Sequence, residues 1–327
     1  MIPLPFALKR WIPGYAVRWR RRYAAMLEEI HRCAPRLQFG QDGATPWLED
    51  SDAGIRLHGF LTEPKNVEVY EMLEHELPTS LPKTHFRLVK DYINRYVYPH
   101  MRPDLKPAGY AAERLWGFHA QHKDAIEDYP DASARDLLRE AFRPSAGEVI
   151  IDGGAFLGFG EIRLAPDIRG GRIIAIEANP DCHALLVRNL THNRVDGVTA
   201  LHAAVWEREG ELELETGYAQ ANSLVEEVHR GERRVPVATV TVDGIVRRYG
   251  LTRLDMLSLT LNGAEVEALR AASYTLDTLR PRIRLAGWYR RGGVPIWQIT
   301  KEALERHRYR VFVGSRGNVM ALPRERT

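Results

Sequence analysis

A glycine-rich segment, Asp152-Gly-Gly-Ala-Phe-Leu-Gly-Phe-Gly160, follows a short apolar run and precedes a helical pattern. Glycine lets the backbone turn sharply and approach a ligand that a side chain would block. Glu177 ends the next apolar run, where a carboxylate can accept both hydroxyl hydrogens of a ribose. Together these features predict a site for a nucleotide-like ligand at the carboxyl ends of two parallel strands.

The spacing of the glycines narrows the type of ligand. A dinucleotide-binding turn has the pattern G-x-G-x-x-G, which neither Gly153-Gly154 nor Gly158 with Gly160 completes. The lysine and the serine or threonine that end a phosphate-binding loop are also missing. A ligand that has ribose and adenine but no phosphate fits better. S-adenosylmethionine is such a ligand, and its ammonium group suits a carboxylate such as Asp152.

Short apolar runs alternate with helical patterns from residue 146 onward, which is typical of βαβ units on a parallel sheet. We predict core strands over 148–152, 172–177, 198–205, 255–261, 282–285, 309–313 and 318–322, and added antiparallel strands over 211–215 and 235–242. Helices are predicted from Asn179-Pro180 onward and from Gly263 to Ala272. The predicted fold class is therefore α/β, in a domain of residues 146–327.

Residues 1–145 show few strand patterns, and prolines interrupt their helical patterns. We predict a mainly helical N-terminal domain, with helices near 15–33, 66–75, 86–98 and 131–142. Residues 1–25 carry six basic and no acidic residues, interleaved with Trp11 and Trp19. This basic arm suits peripheral contact with an anionic membrane, but the composition also fits a solvated arm or a helix docked on its own protein. A nucleic-acid partner is not expected.

Composition excludes several classes of protein. The 327 residues are 44% apolar and 27% charged, with a net charge of +3, which fits a globular protein rather than a disordered or fibrous one. No apolar stretch approaches the length of a membrane span, and we recognise no secretory signal. The two cysteines, Cys33 and Cys182, suggest neither a disulfide framework nor a zinc site, so we predict no metal. We expect a cytoplasmic location, and the preference for arginine over lysine suggests a bacterial source.

Four blocks in the C-terminal half resemble one known family. They are Ile151-Asp-Gly-Gly-Ala-Phe-Leu-Gly158, Ala175-Ile-Glu-Ala-Asn-Pro180, Pro236-Val-Ala-Thr-Val-Thr-Val-Asp243 and Asp255-Met-Leu-Ser-Leu-Thr-Leu-Asn-Gly-Ala-Glu265. In order and spacing they are similar to the motifs of the FkbM-type class I S-adenosylmethionine-dependent methyltransferases. The resemblance implies a Rossmann-like seven-stranded sheet with its last strand antiparallel. It also implies methyl transfer from S-adenosylmethionine, with O-methylation of a sugar, glycolipid or secondary metabolite favoured and N-methylation of an amine or peptide left open.

The resemblance assigns candidate binding residues. The cofactor candidates are Asp152, Gly153, Gly154 and Gly158 for the methionine part, Glu177 for the ribose and Ala204 for the adenine, together with Ala155, Phe156, Ala178 and Asn179. Candidate substrate contacts are Asn222 and Ser223 in a polar loop, and Trp288 and Tyr289 after a core strand. The loop is also consistent with a solvated connection, and the two aromatic residues with packing against the N-terminal domain.

The fourth block departs from the family pattern. Ser258, Thr260 and Asn262 stand where the family commonly has Lys, Asp and Glu. Asn262, which would orient a substrate hydroxyl or amide, and Glu265, which would be the base, are the candidate catalytic residues. Asn262-Gly-Ala-Glu265 also fits a capping box, which would give Glu265 a structural role. The alternative function is a non-catalytic binding or scaffold protein with a methyltransferase fold that has lost acidic active-site residues.

Overall fold

The computed structural model describes residues 37–60, 88, 129, 131–216, 233–314 and 317–326. The chain divides into two compact units, residues 1–120 and residues 121–327. The basic arm and the helices predicted near 15–33 and 66–75 lie outside the described residues, as does the helix near 86–98 apart from Leu88. Within the described residues, no helix combines the length and the apolar character that a membrane crossing requires.

The first unit contains an antiparallel meander that the sequence pattern did not predict. Strands β1 (Leu37–Asp42), β2 (Thr45–Asp50) and β3 (Ile55–His58) pair in that order. Leu48 pairs with Leu57, and both side chains are fully buried. The strand signal is weak because each strand is short and mixes charged with apolar positions. Residues 37–58 thus add a small sheet to a region for which we predicted helices.

The second unit is built around a seven-stranded sheet with the order β14-β15-β11-β10-β4-β5-β6. In chain order its strands are β4 (Val149–Gly153), β5 (Arg172–Glu177), β6 (Val198–His202), β10 (Met256–Leu259), β11 (Arg282–Leu285), β14 (Tyr309–Val313) and β15 (Val319–Pro323). The strand β15, which is the last in the chain, runs antiparallel to both β11 and β14. Between β11 and β14 in the chain, β12 (Arg290–Arg291) and β13 (Val294–Pro295) form a separate short antiparallel pair. The predicted α/β class and the Rossmann-like sheet are confirmed.

Helices precede, connect and follow these strands. They are α1 (Ala132–Ala141), α2 (Phe159–Leu164), α3 (Pro180–His192), α4 (Val242–Arg248), α5 (Glu265–Arg270) and α6 (Ile296–Arg306), with a π-helix at Thr275–Leu279 and a 3-10 helix at Arg324–Arg326. Neighbouring residues of a strand point to opposite faces of the sheet. In β15, Ala321 packs in the cluster that contains α4, α5 and α6, whereas Met320 packs in the cluster that contains α1.

Helix α1 joins the second unit although it precedes the predicted domain boundary at residue 145. Its buried residues Ala134 and Leu138 pack with Phe312 of β14 and Met320 of β15. The Asp131 side chain caps the helix by accepting a hydrogen bond from Ser133 N at 2.9 Å. The helix itself agrees with the one predicted over 131–142. Because its apolar residues cover one face of the sheet, α1 belongs structurally with the strands that follow it.

A three-stranded sheet with the order β7-β9-β8 is formed by residues that lie between β6 and β10 in the chain. It consists of β7 (Ala204–Val205), β8 (Gly210–Thr216) and β9 (Arg233–Val240), with β8 and β9 antiparallel as predicted. The strand predicted over 198–205 is divided, since its last two residues pair with β9 instead of continuing β6. The strand β9 ends at Val240 because the Thr241 hydroxyl accepts a hydrogen bond from Gly244 N at 2.9 Å and caps α4.

The connections of the main sheet create a natural ligand site. From β4 the chain continues to β5 and β6 on one side, and it later forms β10 and β11 on the other side. The order of the strands therefore reverses between β4 and β10. In open α/β sheets, ligands bind at the carboxyl ends of the strands at such a reversal. Asp152 lies near the end of β4 and Glu177 at the end of β5, so both predicted carboxylates are at this edge.

Candidate cofactor and acceptor site

The turn after β4 packs closely between β5 and the residues that follow β10. Gly154 has a left-handed backbone (φ 81°), and the N–H groups of Gly154 and Ala155 both donate to the Ile176 carbonyl, at 2.8 and 3.0 Å. A Cβ atom on Gly154 would lie 2.0 Å from the carbonyl oxygen of Thr260, which follows β10. The position requires glycine because both the φ angle and the available space exclude a side chain.

The second half of the turn is fixed to α3. Gly158 precedes α2 with a left-handed backbone (φ 79°), and a Cβ atom there would lie 2.6 Å from Cδ1 of Leu186. Asn189, which is fully buried in α3, donates from Nδ2 to the Leu157 carbonyl at 2.8 Å. Sequence analysis did not single out Asn189, since its role depends on how α3 packs against the turn. The whole glycine-rich segment is thus held in place by β5, β10 and α3.

Glu177 braces the same turn from the end of β5. Its Oε2 accepts a hydrogen bond from Phe156 N at 2.9 Å, and its Oε1 accepts one from Asn179 N at 2.8 Å. Phe156 has a left-handed backbone (φ 56°), which is uncommon for a residue with a side chain. Burial raises the pKa of the Glu177 carboxyl to about 7, although the backbone N–H groups act in the opposite direction. The nearby charge of Asp152 raises this pKa further.

Asp152 forms the second carboxylate of the site. It is 7% exposed, close to the 8% of Glu177 on the neighbouring strand. Its Oδ1 accepts a hydrogen bond from the hydroxyl of Ser258, which is its register partner on β10 and is fully buried. Two carboxylates with so little access to water, on adjacent strands, form an anionic site that suits a ligand with a positive charge and hydroxyl donors.

The residues predicted for the ribose and adenine lie around the end of β5. Asn179 caps α3, because its Oδ1 accepts hydrogen bonds from Asp181 N at 2.9 Å and Cys182 N at 3.1 Å. Ala178 and Ala204 pack in one apolar cluster under the small sheet. Nε2 of His202 lies 3.1 Å from the Ala178 carbonyl oxygen. The structure therefore brings Ala178 and Ala204 into one apolar cluster near the end of β5, although they belong to different elements.

Glu265 is fully buried at the start of α5, and the backbone engages both of its oxygens. Oε1 accepts a hydrogen bond from Leu261 N at 2.7 Å, and Oε2 accepts one from Gly263 N at 3.0 Å. The capping box with Asn262 as the N-cap does not form, since Ala264 occupies the N-cap position and Glu265 is the first helical residue. Asn262 has a left-handed backbone (φ 51°), which folds the turn over the carboxylate. This geometry favours a structural role for Glu265 over that of a general base.

We expect Glu265 to make the protein less stable as the pH rises from about 4.5 to about 7. Burial raises the pKa of its carboxyl from 4.5 to about 7, so the folded state binds the proton more tightly than the unfolded state. The stabilisation is complete below pH 4.5 and is lost as the pH rises through 7, at about 1.4 kcal/mol for each unit of the pKa difference. Glu265→Gln cannot ionise, so its free energy of unfolding should fall less steeply over this range.

Urea denaturation at pH 5, 6, 7 and 8 measures this effect. The matched control is Glu211→Gln, since Glu211 is exposed on β8 and lies outside the site. We expect this control to keep the wild-type slope. Glu177 acts in the same direction and remains in both variants, so a reduced slope rather than a flat one is the expected result for Glu265→Gln. A slope equal to that of the wild type would contradict the assignment.

The two aromatic candidates reach the same edge of the sheet from the end of β11. The Tyr289 hydroxyl donates to Oδ1 of Asn262 at 3.0 Å, and the rings of Trp288 and Tyr289 lie 6.0 Å apart at 45°. Burial raises the pKa of the Tyr289 hydroxyl, so it stays protonated and acts as a donor. The structure thus joins Asn262 to Tyr289, whereas Asn222 and Ser223 lie outside the described residues.

Comparisons with known proteins agree with this fold. Residues 155–317 match the family model described as the methyltransferase FkbM domain. Methyltransferase sdnD of Sordaria araneosa is 28% identical over 152 residues, which cover 37% of this chain and 59% of that protein. The chain therefore spans about 59% of the length of this curated relative.

Two solved structures of other proteins are similar to part of this chain. A methyltransferase FkbM from Methylobacillus flagellatus KT is 14% identical, with a TM-score of 0.41 over 69% of this chain and 63% of the other. The fibrillarin of Aeropyrum pernix, solved with natively bound S-adenosyl-L-methionine, is 14% identical, with a TM-score of 0.34 over 60% and 75% of the two chains. Residues 155–317 of this chain therefore form a methyltransferase FkbM domain.

Proposed function

We propose that this protein transfers the methyl group of S-adenosylmethionine to a hydroxyl group of a small acceptor. The observation that carries the proposal is the pair of buried carboxylates, Asp152 and Glu177, on either side of the Gly154 turn. The family match supports the same reaction class.

The residues present fit this cofactor. The Glu177 oxygens accept hydrogen bonds from Phe156 N and Asn179 N, and a carboxylate has about four acceptor positions, so the group can also accept hydrogen bonds from ribose hydroxyls. The Asp152 carboxylate suits the ammonium group of the methionine part. The apolar surroundings of Ala178 and Ala204 suit the flat, uncharged adenine. When bound, the cofactor supplies an electrophilic methyl group on a sulfonium.

The acceptor side of the site is formed by neutral groups. Asn262, Trp288 and Tyr289 follow β10 and β11, and the carboxylate of Glu265 is engaged by backbone N–H groups. The Tyr289 hydroxyl fixes the Asn262 amide, which leaves the amide suited to orienting a hydroxyl by hydrogen bonding. Positioning a nucleophile in line with the methyl group supplies much of the rate in such a site. A site of this kind suits an acidic hydroxyl, because its proton needs little help to leave.

We propose a secondary metabolite with an acidic hydroxyl as the acceptor, ahead of a sugar or glycolipid, whose hydroxyls ionise less readily. N-methylation of an amine or peptide is the competing reaction, because a neutral amine attacks without prior loss of a proton. The stacking surface offered by Trp288 and Tyr289 supports a cyclic acceptor. Product analysis distinguishes the two reactions, since methyl ethers and methylamines differ in mass-spectrometric fragmentation and in acid–base behaviour.

The second candidate function is a non-catalytic binding or scaffold protein. It is favoured by one observation, the commitment of Glu265 to the backbone, which removes the predicted base. Both candidates predict cofactor binding, and only the methyltransferase predicts turnover.

Calorimetric titration of the full chain with S-adenosylmethionine and S-adenosylhomocysteine tests the cofactor site. We expect micromolar binding of both ligands. Incubation with a panel of hydroxyl and amine acceptors, with S-adenosylhomocysteine formation as the readout, then tests catalysis. Binding with no turnover across the panel would favour the scaffold, and failure of folded protein to bind either ligand would overturn the proposed function.

A further inference from the structure

Three polar side chains lie side by side across the centre of the main sheet. Ser258 of β10 is in register with Asp152 of β4 on one side and with Arg284 of β11 on the other. Residues in register on neighbouring strands point to the same face of a sheet. The row therefore runs from the carboxylate of the predicted cofactor site to a cation two strands away.

The hydrogen bonds of this row have a defined direction. Nε of Arg284 donates to Oγ of Ser258 at 3.1 Å, and the Ser258 hydroxyl donates to Oδ1 of Asp152. A serine hydroxyl has a single hydrogen, and an arginine only donates. Because Ser258 accepts from Arg284, its own hydrogen points to Asp152. The positive charge thus orients the serine, and the serine orients the carboxylate.

Burial makes this arrangement important for Asp152. Ser258 is fully buried and Asp152 is 7% exposed, so water contributes little to fixing the carboxylate. A charge removed from water needs hydrogen bonds and an opposite charge to compensate for the lost solvation. Glu177 lies on the other side of Asp152 in the strand order, and the negative charges of these two carboxylates repel each other. Arg284 provides a compensating charge on the other side of the row.

We propose that Arg284 is a positioning residue for the cofactor, acting through Ser258 to hold the Asp152 carboxylate in the orientation that receives the ammonium group. The inference rests on the proposed function, because it concerns the same site. It differs from direct binding by Arg284, in which the guanidinium would contact the carboxylate of the ligand and Ser258 would be dispensable.

Two ligands separate these roles. S-adenosylhomocysteine carries the amino acid group, and 5′-methylthioadenosine has the same adenosine and thioether without it. We expect Ser258→Ala and Arg284→Met each to weaken S-adenosylhomocysteine binding about fivefold to twentyfold, which is the loss of about one charge-assisted hydrogen bond. Affinity for 5′-methylthioadenosine should stay within about twofold of the wild type. The double variant should bind S-adenosylhomocysteine no more weakly than Arg284→Met alone. Arg284 acts through Ser258 in this relay of hydrogen bonds to Asp152, so the losses from the two substitutions are not additive.

The chain contains a matched control at the other end of the strands. The Ser145 hydroxyl donates to Oε1 of Glu148 at 2.8 Å, and Oε2 of Glu148 pairs with Arg282. Ser145→Ala removes a similar serine–carboxylate contact away from the site and should leave both affinities unchanged.

The outcomes are distinct. Unchanged S-adenosylhomocysteine binding by Ser258→Ala with a loss for Arg284→Met would indicate direct binding by Arg284 and would overturn the relay. Equal losses for both ligands would indicate a purely structural role and would also overturn it. Additive losses in the double variant would do the same. If the wild-type protein binds neither ligand, the proposed function itself fails, which is a different result from the other three.

Discussion

Gly154→Ala should lower the free energy of unfolding by about 2–5 kcal/mol and abolish measurable binding of S-adenosylhomocysteine. A side chain at φ 81° costs about 1–2 kcal/mol in backbone strain. In addition, its Cβ would lie 2.0 Å from the Thr260 carbonyl, a backbone atom that cannot rotate away. Overpacking of this kind adds about 1–3 kcal/mol and displaces the turn from β10. Urea denaturation and calorimetric titration measure the two effects.

Gly170→Ala is the matched control for this substitution. Gly170 has nearly the same backbone angle (φ 75°), but a Cβ atom there meets nothing within 4 Å. We expect this variant to lower the free energy of unfolding only by the cost of backbone strain, about 1–2 kcal/mol, and to bind S-adenosylhomocysteine like the wild type. The difference between the two variants isolates the contact with Thr260. Equal destabilisation by the two substitutions would show that the turn does not depend on this contact.

Glu177→Ala should weaken S-adenosylhomocysteine binding at least tenfold. The substitution removes charge-assisted hydrogen bonds to the ligand, each worth roughly 1.5–3 kcal/mol. It also removes the acceptors for Phe156 N and Asn179 N, which brace the turn. A thermal unfolding curve recorded with each titration separates loss of the ligand contact from loss of the fold.

The pH dependence of binding provides a second test of the same residue. Because the pKa of Glu177 is about 7, the carboxyl is increasingly protonated below that pH and loses an acceptor for the ribose. The wild-type affinity should therefore rise with pH up to about 7 and then level off, whereas Glu177→Gln should bind weakly at every pH. Asp181→Asn, an exposed change in the first turn of α3, should keep the wild-type profile. A wild-type affinity that is independent of pH would refute the ribose assignment.

The amino-acid sequence by itself determined the fold of the second unit. Strands built on apolar runs, such as the strand over 172–177, appear in the structure with the predicted bounds. They do so because a strand buried on both faces needs a continuous apolar run, whatever its neighbours are. The glycines of the turn were also readable, since a left-handed backbone at Gly154 and Gly158 is a local property. Local signals of this kind survive without knowledge of the rest of the chain.

Other features depended on contacts between distant residues. The meander over 37–58 is held by strand pairing, and its own pattern is weak. Glu265 was predicted as a candidate base or as a capping residue, and only the assembled structure shows that it is fully buried and accepts hydrogen bonds from Leu261 N and Gly263 N. In the sequence, Ser258 is recognisable only as a departure from the FkbM-type pattern, which commonly has Lys at this position.

The tertiary structure places Ser258 between Asp152 and Arg284, with a hydrogen bond to each. These residues lie 106 and 26 positions away along the chain. Hydrogen-bond partners across a sheet are set by the order and register of the strands, and these depend on the whole core. The predicted cofactor residues could therefore be located from the local sequence. The side chains that orient Asp152 and compensate its charge, Ser258 and Arg284, could be identified only from the assembled sheet.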